Sequence, residues 1–116
     1  MTNPNASQEP ETKQQLVNQI NILEKNLQQV TERRRSLEQS LRELESASEH
    51  LDDTDEPMRL IGNLLVKQPK DDVEAYIEEK RNEQENSLER VQESEDKLRG
   101  QLDDMKESFL DEDDQS

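Results

Sequence analysis

The chain lacks most of the residues on which a compact globular core depends. It has no cysteine and no tryptophan, and one tyrosine and one phenylalanine among its 116 residues. Without cysteine there are no disulfides and no thiolate chemistry, which fits a reducing compartment, and we expect the cytoplasm. Only 27% of the residues are hydrophobic, too few to offset a conformational entropy cost of about 1–2 kcal/mol per ordered residue in a globule. The chain should therefore be either disordered or an elongated helical protein with a narrow apolar seam.

Positive charge is also scarce. The chain carries 15 basic against 30 acidic residues, a formal net charge of −15. A surface this negative repels the phosphates of nucleic acids and of anionic lipids, so we expect neither nucleic acid nor membrane as a partner. The N-terminal residues show no cationic and apolar signal-peptide pattern, and no apolar run is long enough to cross a membrane.

Helix breakers divide the chain. The stretch from Glu11 to Glu56 contains neither proline nor glycine, and the stretch from Lys70 to Ser116 contains only Gly100. Each is long enough for a helix of about 40 residues. We predict a disordered N-terminal segment at 1–10, a first coiled-coil helix at 11–56, an assembly hairpin at 57–69, a second coiled-coil helix at 70–110 and an acidic disordered tail at 111–116.

A heptad repeat supports the first helix. Steps of four and three residues from Leu16 to Leu51 meet an apolar residue everywhere except at Arg34 and Ser48. A repeat sustained for this length is typical of a coiled coil. The alternative is a solvated acidic helix with leucines at these positions by chance.

The second helix shows the same repeat more weakly, from Ile77 to Phe109. Asp71 followed by Glu74 resembles a capping box at its start. Two consecutive helices of similar length with a short connector favour an antiparallel pair, which would place Leu16 near Phe109. A parallel coiled-coil dimer is the alternative arrangement.

The connector predicts a β-hairpin. Gly62-Asn63 between two apolar runs is typical of a two-residue turn in which glycine supplies the positive φ of a type II′ first position. Ile61 would then pair with Leu64, and both faces of the ribbon would be apolar. The residues concerned are Met58, Leu60, Ile61, Gly62, Asn63, Leu64, Leu65 and Val66.

Such a hairpin needs other chains. An isolated two-stranded ribbon is marginal in water, and one that is apolar on both faces would also expose two open edges. This chain offers no third strand, so we predict oligomerisation through the hairpin. The alternative is a buried loop that only caps its own helix pair.

The long heptad helix, the acidic approach at 51–56, the hairpin at 59–67 and the capped second helix together resemble β-type prefoldin subunits from end to end. The α-type subunits of that family carry two hairpins, and this chain has room for one. The resemblance implies a hexamer of two α-type and four β-type subunits whose hairpins join into an intersubunit β-barrel. It also implies that coiled-coil tips bind unfolded proteins without ATP, prevent their aggregation and deliver them to a chaperonin. The alternative is a prefoldin-like scaffold subunit of another multiprotein complex.

Apolar residues at the tip of an antiparallel pair support the holding role. Three of them lie outside the seam and would have no partner within the pair: Val17, Ile22 and Leu110. A subunit that served only as a scaffold would not need such unpartnered apolar residues. The seam residues at the tip could be exposed by fraying, or could simply complete the zipper. We predict client contacts for Leu16, Val17, Ile20, Ile22, Leu102, Met105, Phe109 and Leu110.

No pattern of catalytic, cofactor-binding or metal-binding residues is evident, so we predict a protein that is not an enzyme and needs no cofactor. His50 is the single histidine and has neither a second histidine nor a cysteine with which to bind a metal. The acidic runs at 52–56 and 111–114 lack the glycine and the glutamate of an EF-hand loop.

Overall fold

The computed structural model describes residues 12–114. Helix α1 spans Lys13–Asp52, strand β1 Met58–Ile61, strand β2 Leu64–Lys67 and helix α2 Lys70–Asp114. Two long helices joined by one hairpin are the predicted mainly α fold, which is thus confirmed. Neither helix, over its described length, has the run of apolar residues that a membrane span requires. The segment at 1–10, predicted to be disordered, lies outside the described residues.

Helix α1 begins with a capping box that the sequence analysis missed. The Thr12 backbone N–H donates to Oε1 of Gln15 at 2.8 Å, and the Gln15 N–H donates to Oγ1 of Thr12 at 3.2 Å. These reciprocal bonds satisfy two amides that have no partner within the helix. The pattern of threonine followed three residues later by glutamine was visible in the sequence and could have located this start.

Helix α1 ends at Asp52, four residues before the predicted end at Glu56. A tight turn follows, in which the Thr54 hydroxyl donates to the carbonyl oxygen of His50 at 2.7 Å. Pro57 disfavours helical backbone at Glu56, so the helix must end before it. Carboxylates near the negative end of the helix dipole are unfavourable as well, but α2 continues through an equally acidic run that no proline follows.

Helix α2 begins at the predicted residue but differs from the prediction in its cap and in its C-terminal end. It begins at Lys70, with the Pro69 carbonyl accepting from the amides of residues 72 and 73, so Asp71 lies inside the first turn and is not the cap. At its other end α2 continues through Asp111 to Asp114, where a disordered tail was predicted. Helical backbone propagates one hydrogen bond per residue, and no proline or glycine interrupts it after Gly100. Residues 115–116 lie outside the described part.

The seam follows the heptads. Every predicted seam position on both helices is buried or half-buried, including the polar ones. Most residues between them are exposed, as a narrow two-helix seam requires. The most buried apolar side chains are those of Leu16, Leu51, Ile77, Val91 and Leu102.

The structure divides into two compact units. We call residues 12–31 and 94–114 the terminal unit, and residues 32–93, which include the hairpin, the hairpin unit. In the terminal unit Lys13 Nζ lies 5.7 Å from the ring centroid of Phe109, and the Thr31 hydroxyl donates to Glu95 at 2.7 Å. Later residues of α1 therefore face earlier residues of α2, which confirms the antiparallel pairing there.

The hairpin unit shows the same direction of pairing. Arg81 Nη2 lies 3.8 Å from Oε1 of Glu45, and Lys70 Nζ donates to the backbone carbonyl of Asp52 at 3.1 Å. The Lys70 contact also places a positive charge at the C-terminal end of α1, where it is favourable.

The hairpin has the predicted register. Ile61 pairs with Leu64 and Leu60 with Leu65 in an antiparallel ladder. Gly62 has a φ of +59°, and no described residue other than glycine has a positive φ, so Asn63 completes a turn of the II′ pattern. Beyond the strands, the Gln68 N–H donates to the Pro57 carbonyl at 3.1 Å and closes the neck of the ribbon.

Candidate functional site

The hairpin exposes both of its faces. Since paired residues share a face, Ile61, Leu64 and Val66 lie on one side, and Met58, Leu60 and Leu65 lie on the other. All six side chains are exposed, from 38% for Val66 to 68% for Leu64. So dense a group of exposed aliphatic side chains marks an interaction surface.

The strands also offer hydrogen-bonding edges. The sheet in the described part of the chain has two strands, so each strand pairs on one side only. Unpaired backbone N–H and C=O groups along such an edge are a template for a strand from another chain. The hairpin can thus bind a partner through its edges and its faces together.

One aromatic stack fixes the hairpin against α2. The Arg59 guanidinium carbon lies 3.7 Å from the centroid of the Tyr76 ring, and Lys80 Nζ lies 5.8 Å from the same ring. A cation over an aromatic face contributes about 0.5–2 kcal/mol. This contact was not predictable from the sequence, because heptad and strand periodicities say nothing about which strand residue meets which helix residue.

The predicted client-binding residues, all in the terminal unit, differ in how exposed their side chains are. Ile22 and Leu110 are 60% and 59% exposed. Leu16 and Leu102 are buried in the seam at 4% and 6%, so they would contact another protein only if the helix ends separated. The remaining four predicted residues are half-buried: Val17, Ile20, Met105 and Phe109.

An open groove of about 510 Å³ lies in the terminal unit. Ile22, Leu23 and Met105 supply its apolar lining, so it brings together two of the predicted client-binding residues, Ile22 and Met105. Val17 and Leu110 do not line this groove. The polar lining residues, which the sequence analysis did not single out, are Gln19, Gln101, Asp104 and Ser108.

A buried carboxylate interrupts the seam of this unit. Glu95 is 4% exposed, accepts a hydrogen bond from Thr31, and lies 3.7 Å from Nη2 of the more exposed Arg99. A charged residue at a core position adds little stability, because desolvation offsets the attraction. Arg99 lies on the same helix as Glu95, so it is the hydrogen bond from Thr31 on α1 that favours one register of the helix pair.

The described residues contain no group of three or more histidine, cysteine, aspartate or glutamate side chains placed to hold a metal ion. His50 is exposed, and its Nδ1 lies 2.8 Å from the backbone oxygen of Ser46. The described residues offer two surfaces for non-covalent binding. One is the apolar hairpin with its open strand edges, and the other is the apolar groove with its polar rim.

Comparisons with known proteins agree with this architecture. The model of the prefoldin subunit family matches residues 14–110. A curated relative named prefoldin subunit beta, from Archaeoglobus fulgidus, is 38% identical over 93 residues, which are 78% of this chain and 80% of the relative. The crystal structure of the prefoldin beta subunit from Thermococcus strain KS-1 is similar with a TM-score of 0.80. That match covers 88% of this chain and 92% of the other at 23% identity, and it concerns the fold.

Proposed function

The chain belongs to the prefoldin subunit family, and we propose that it is a β-type subunit of a hexamer that holds non-native proteins. Membership of this family makes it a subunit of a prefoldin-type chaperone. The single hairpin supports the β type, as does the likeness to the Archaeoglobus fulgidus relative. The partners we propose are two α-type subunits and three further β-type copies in each hexamer.

Assembly is proposed to run through the hairpin. Its six exposed aliphatic side chains and two open strand edges would be covered if neighbouring hairpins completed an intersubunit β-barrel. Closing a sheet into a barrel removes its edges altogether. The Arg59–Tyr76 stack supports the proposal, because it holds the ribbon in one orientation on α2 before a partner arrives.

Holding is proposed to use the terminal unit. The observation that carries it is Ile22, a large aliphatic residue outside the seam that is 60% exposed and lines an open groove. Apolar contacts of this kind form and break without chemical energy, so no ATP is required. Several copies in one complex would bind one unfolded chain together through effective concentration. We further propose that the complex acts in the cytoplasm and delivers its clients to a chaperonin.

A test is aggregation suppression by the assembled complex. The variant combines Ile22→Ser with Leu110→Ser, and the control combines Ile22→Met with Leu110→Met, which keeps the apolar bulk. Burying most of one such side chain stabilises a contact by about 1–2 kcal/mol. The serine variant should therefore need about tenfold or more complex to suppress light scattering from a denatured protein.

The control variant should match the unmodified complex, and size-exclusion chromatography should show every variant fully assembled. If the serine variant suppresses aggregation as well as the control, the holding role is wrong. The alternative, a scaffold subunit, would then be favoured, because that role does not require Ile22 and Leu110 to be apolar.

A further inference from the structure

The described lining of the groove in the terminal unit carries a negative charge and no positive one. Among the described residues that line it, Asp104 is the charged one, and the other polar groups are neutral amides and a hydroxyl. Asp104 is exposed, and within residues 12–114 its carboxylate makes no ion pair. The apolar lining is therefore bordered by a negative charge that is available to a ligand.

The acidic border continues along α2. Gln101, Asp104 and Ser108 line the groove at helical spacing, and Asp111 is the next residue on that face. Two cations of this unit are engaged elsewhere: Lys106 Nζ lies 3.6 Å from Glu24, and Lys13 Nζ lies 5.7 Å from the ring centroid of Phe109. No basic side chain among the described lining residues offsets Asp104.

We propose that this groove selects client segments in which a large apolar side chain has lysine or arginine close to it in sequence. The inference rests on the proposed holding function and narrows it to a class of client. The apolar side chain would lie against Ile22, Leu23 and Met105, and the cationic head would reach Asp104. The aliphatic stem of lysine or arginine can also cover apolar surface while its charge stays in water. A segment with aspartate or glutamate at the same place would meet repulsion.

The experiment compares two fluorescent peptides that share one set of leucines and differ only in having lysine or glutamate between them. Anisotropy titration with the assembled complex at physiological ionic strength gives both dissociation constants. At this salt the Debye length is about 8 Å, so distant charges are largely screened. The lysine peptide should bind about 3-fold to 10-fold more tightly, as expected for exposed ion pairs presented by several copies.

Asp104→Asn should reduce this preference about 2-fold to 5-fold, and Asp104→Lys should reverse its sign. The matched control is Asp103→Asn, which removes the same charge from the adjacent exposed residue outside the groove lining. It should leave the preference unchanged.

The outcomes separate the two proposals. Equal binding of both peptides by the unmodified complex, or equal effects of Asp103→Asn and Asp104→Asn, would overturn the charge selection and leave the holding role intact. Failure of both peptides to bind, together with unaltered aggregation suppression by the Ile22 and Leu110 serine variant, would overturn holding by this unit as well.

Discussion

The exposed hairpin leucines make a quantitative prediction about assembly. Leu60 and Leu65 face each other on one side of the ribbon and are 65% and 66% exposed in the isolated chain. Full burial of a leucine side chain contributes about 1.5–3 kcal/mol, so about 1–2 kcal/mol per residue remains to be gained when a partner covers it. Changing both to serine should weaken association by about 2–4 kcal/mol, which is about 30-fold to 700-fold in the dissociation constant.

The same change should hardly affect the isolated chain. Because both leucines are mostly exposed, their removal should alter the free energy of unfolding of the helices by no more than about 0.5 kcal/mol. Sedimentation of the chain titrated with an α-type subunit measures association, and circular dichroism measures unfolding. The combination of weakened assembly and unchanged helix stability is specific to a surface that other chains cover.

A matched control comes from the terminal unit. Ile22 and Leu110 are exposed to a similar degree and lie outside the hairpin. Their double serine variant removes a comparable apolar area and should assemble normally. If the Leu60 and Leu65 variant associates as tightly as the unmodified chain, or if both variants weaken association equally, the assignment of assembly to the hairpin faces is refuted.

Three single substitutions test helix α2, the hairpin turn and the stack of Arg59 on Tyr76. Gly100→Ala should stabilise α2 by about 0.5–1 kcal/mol, because the added methyl group would meet nothing within 4 Å and alanine is the better helix former; an unchanged thermal midpoint would contradict this. Gly62→Ala should weaken assembly, because a φ of +59° costs an L-residue about 1–2 kcal/mol; sedimentation measures the loss, and normal association would argue against the turn. Tyr76→Leu should weaken assembly by about 0.5–2 kcal/mol through loss of the Arg59 stack, whereas Tyr76→Phe should not; equal losses would show that the ring face is unimportant.

The helices and the hairpin were predictable because both depend on periodicity. A step of four and three residues identifies a seam whatever the partner helix is, and Gly62-Asn63 specifies both a turn and the pairing around it. The helix ends were less predictable. They depend on competition between helical hydrogen bonds and local alternatives: α1 ended four residues early at Asp52, in a turn before Pro57, whereas α2 continued through its acidic residues to Asp114.

The candidate site was predictable only in part, because exposure is decided by packing in three dimensions. Position outside the heptad correctly indicated that Ile22 and Leu110 would be exposed, but Val17, chosen for the same reason, is half-buried. The groove could not be read from the sequence. It needs Ile22 of one helix and Asp104 of the other at the same level of the pair, a relation that no local pattern specifies.

The excess of acidic residues explains how one chain can carry two apolar surfaces, the hairpin and the groove, of which assembly would cover only the first. Assembly would cover the hairpin permanently, whereas a client-binding groove must stay open in the absence of a client. Several copies of an open apolar groove in one complex would tend to bind one another. Exposed carboxylates on the same stretch of α2, at Asp103, Asp104, Glu107 and Asp111, give every copy the same sign of charge and oppose that contact. Reversing these charges should therefore lead complexes to associate through their terminal units even when every hairpin is already paired, and high salt should produce a weaker form of the same effect.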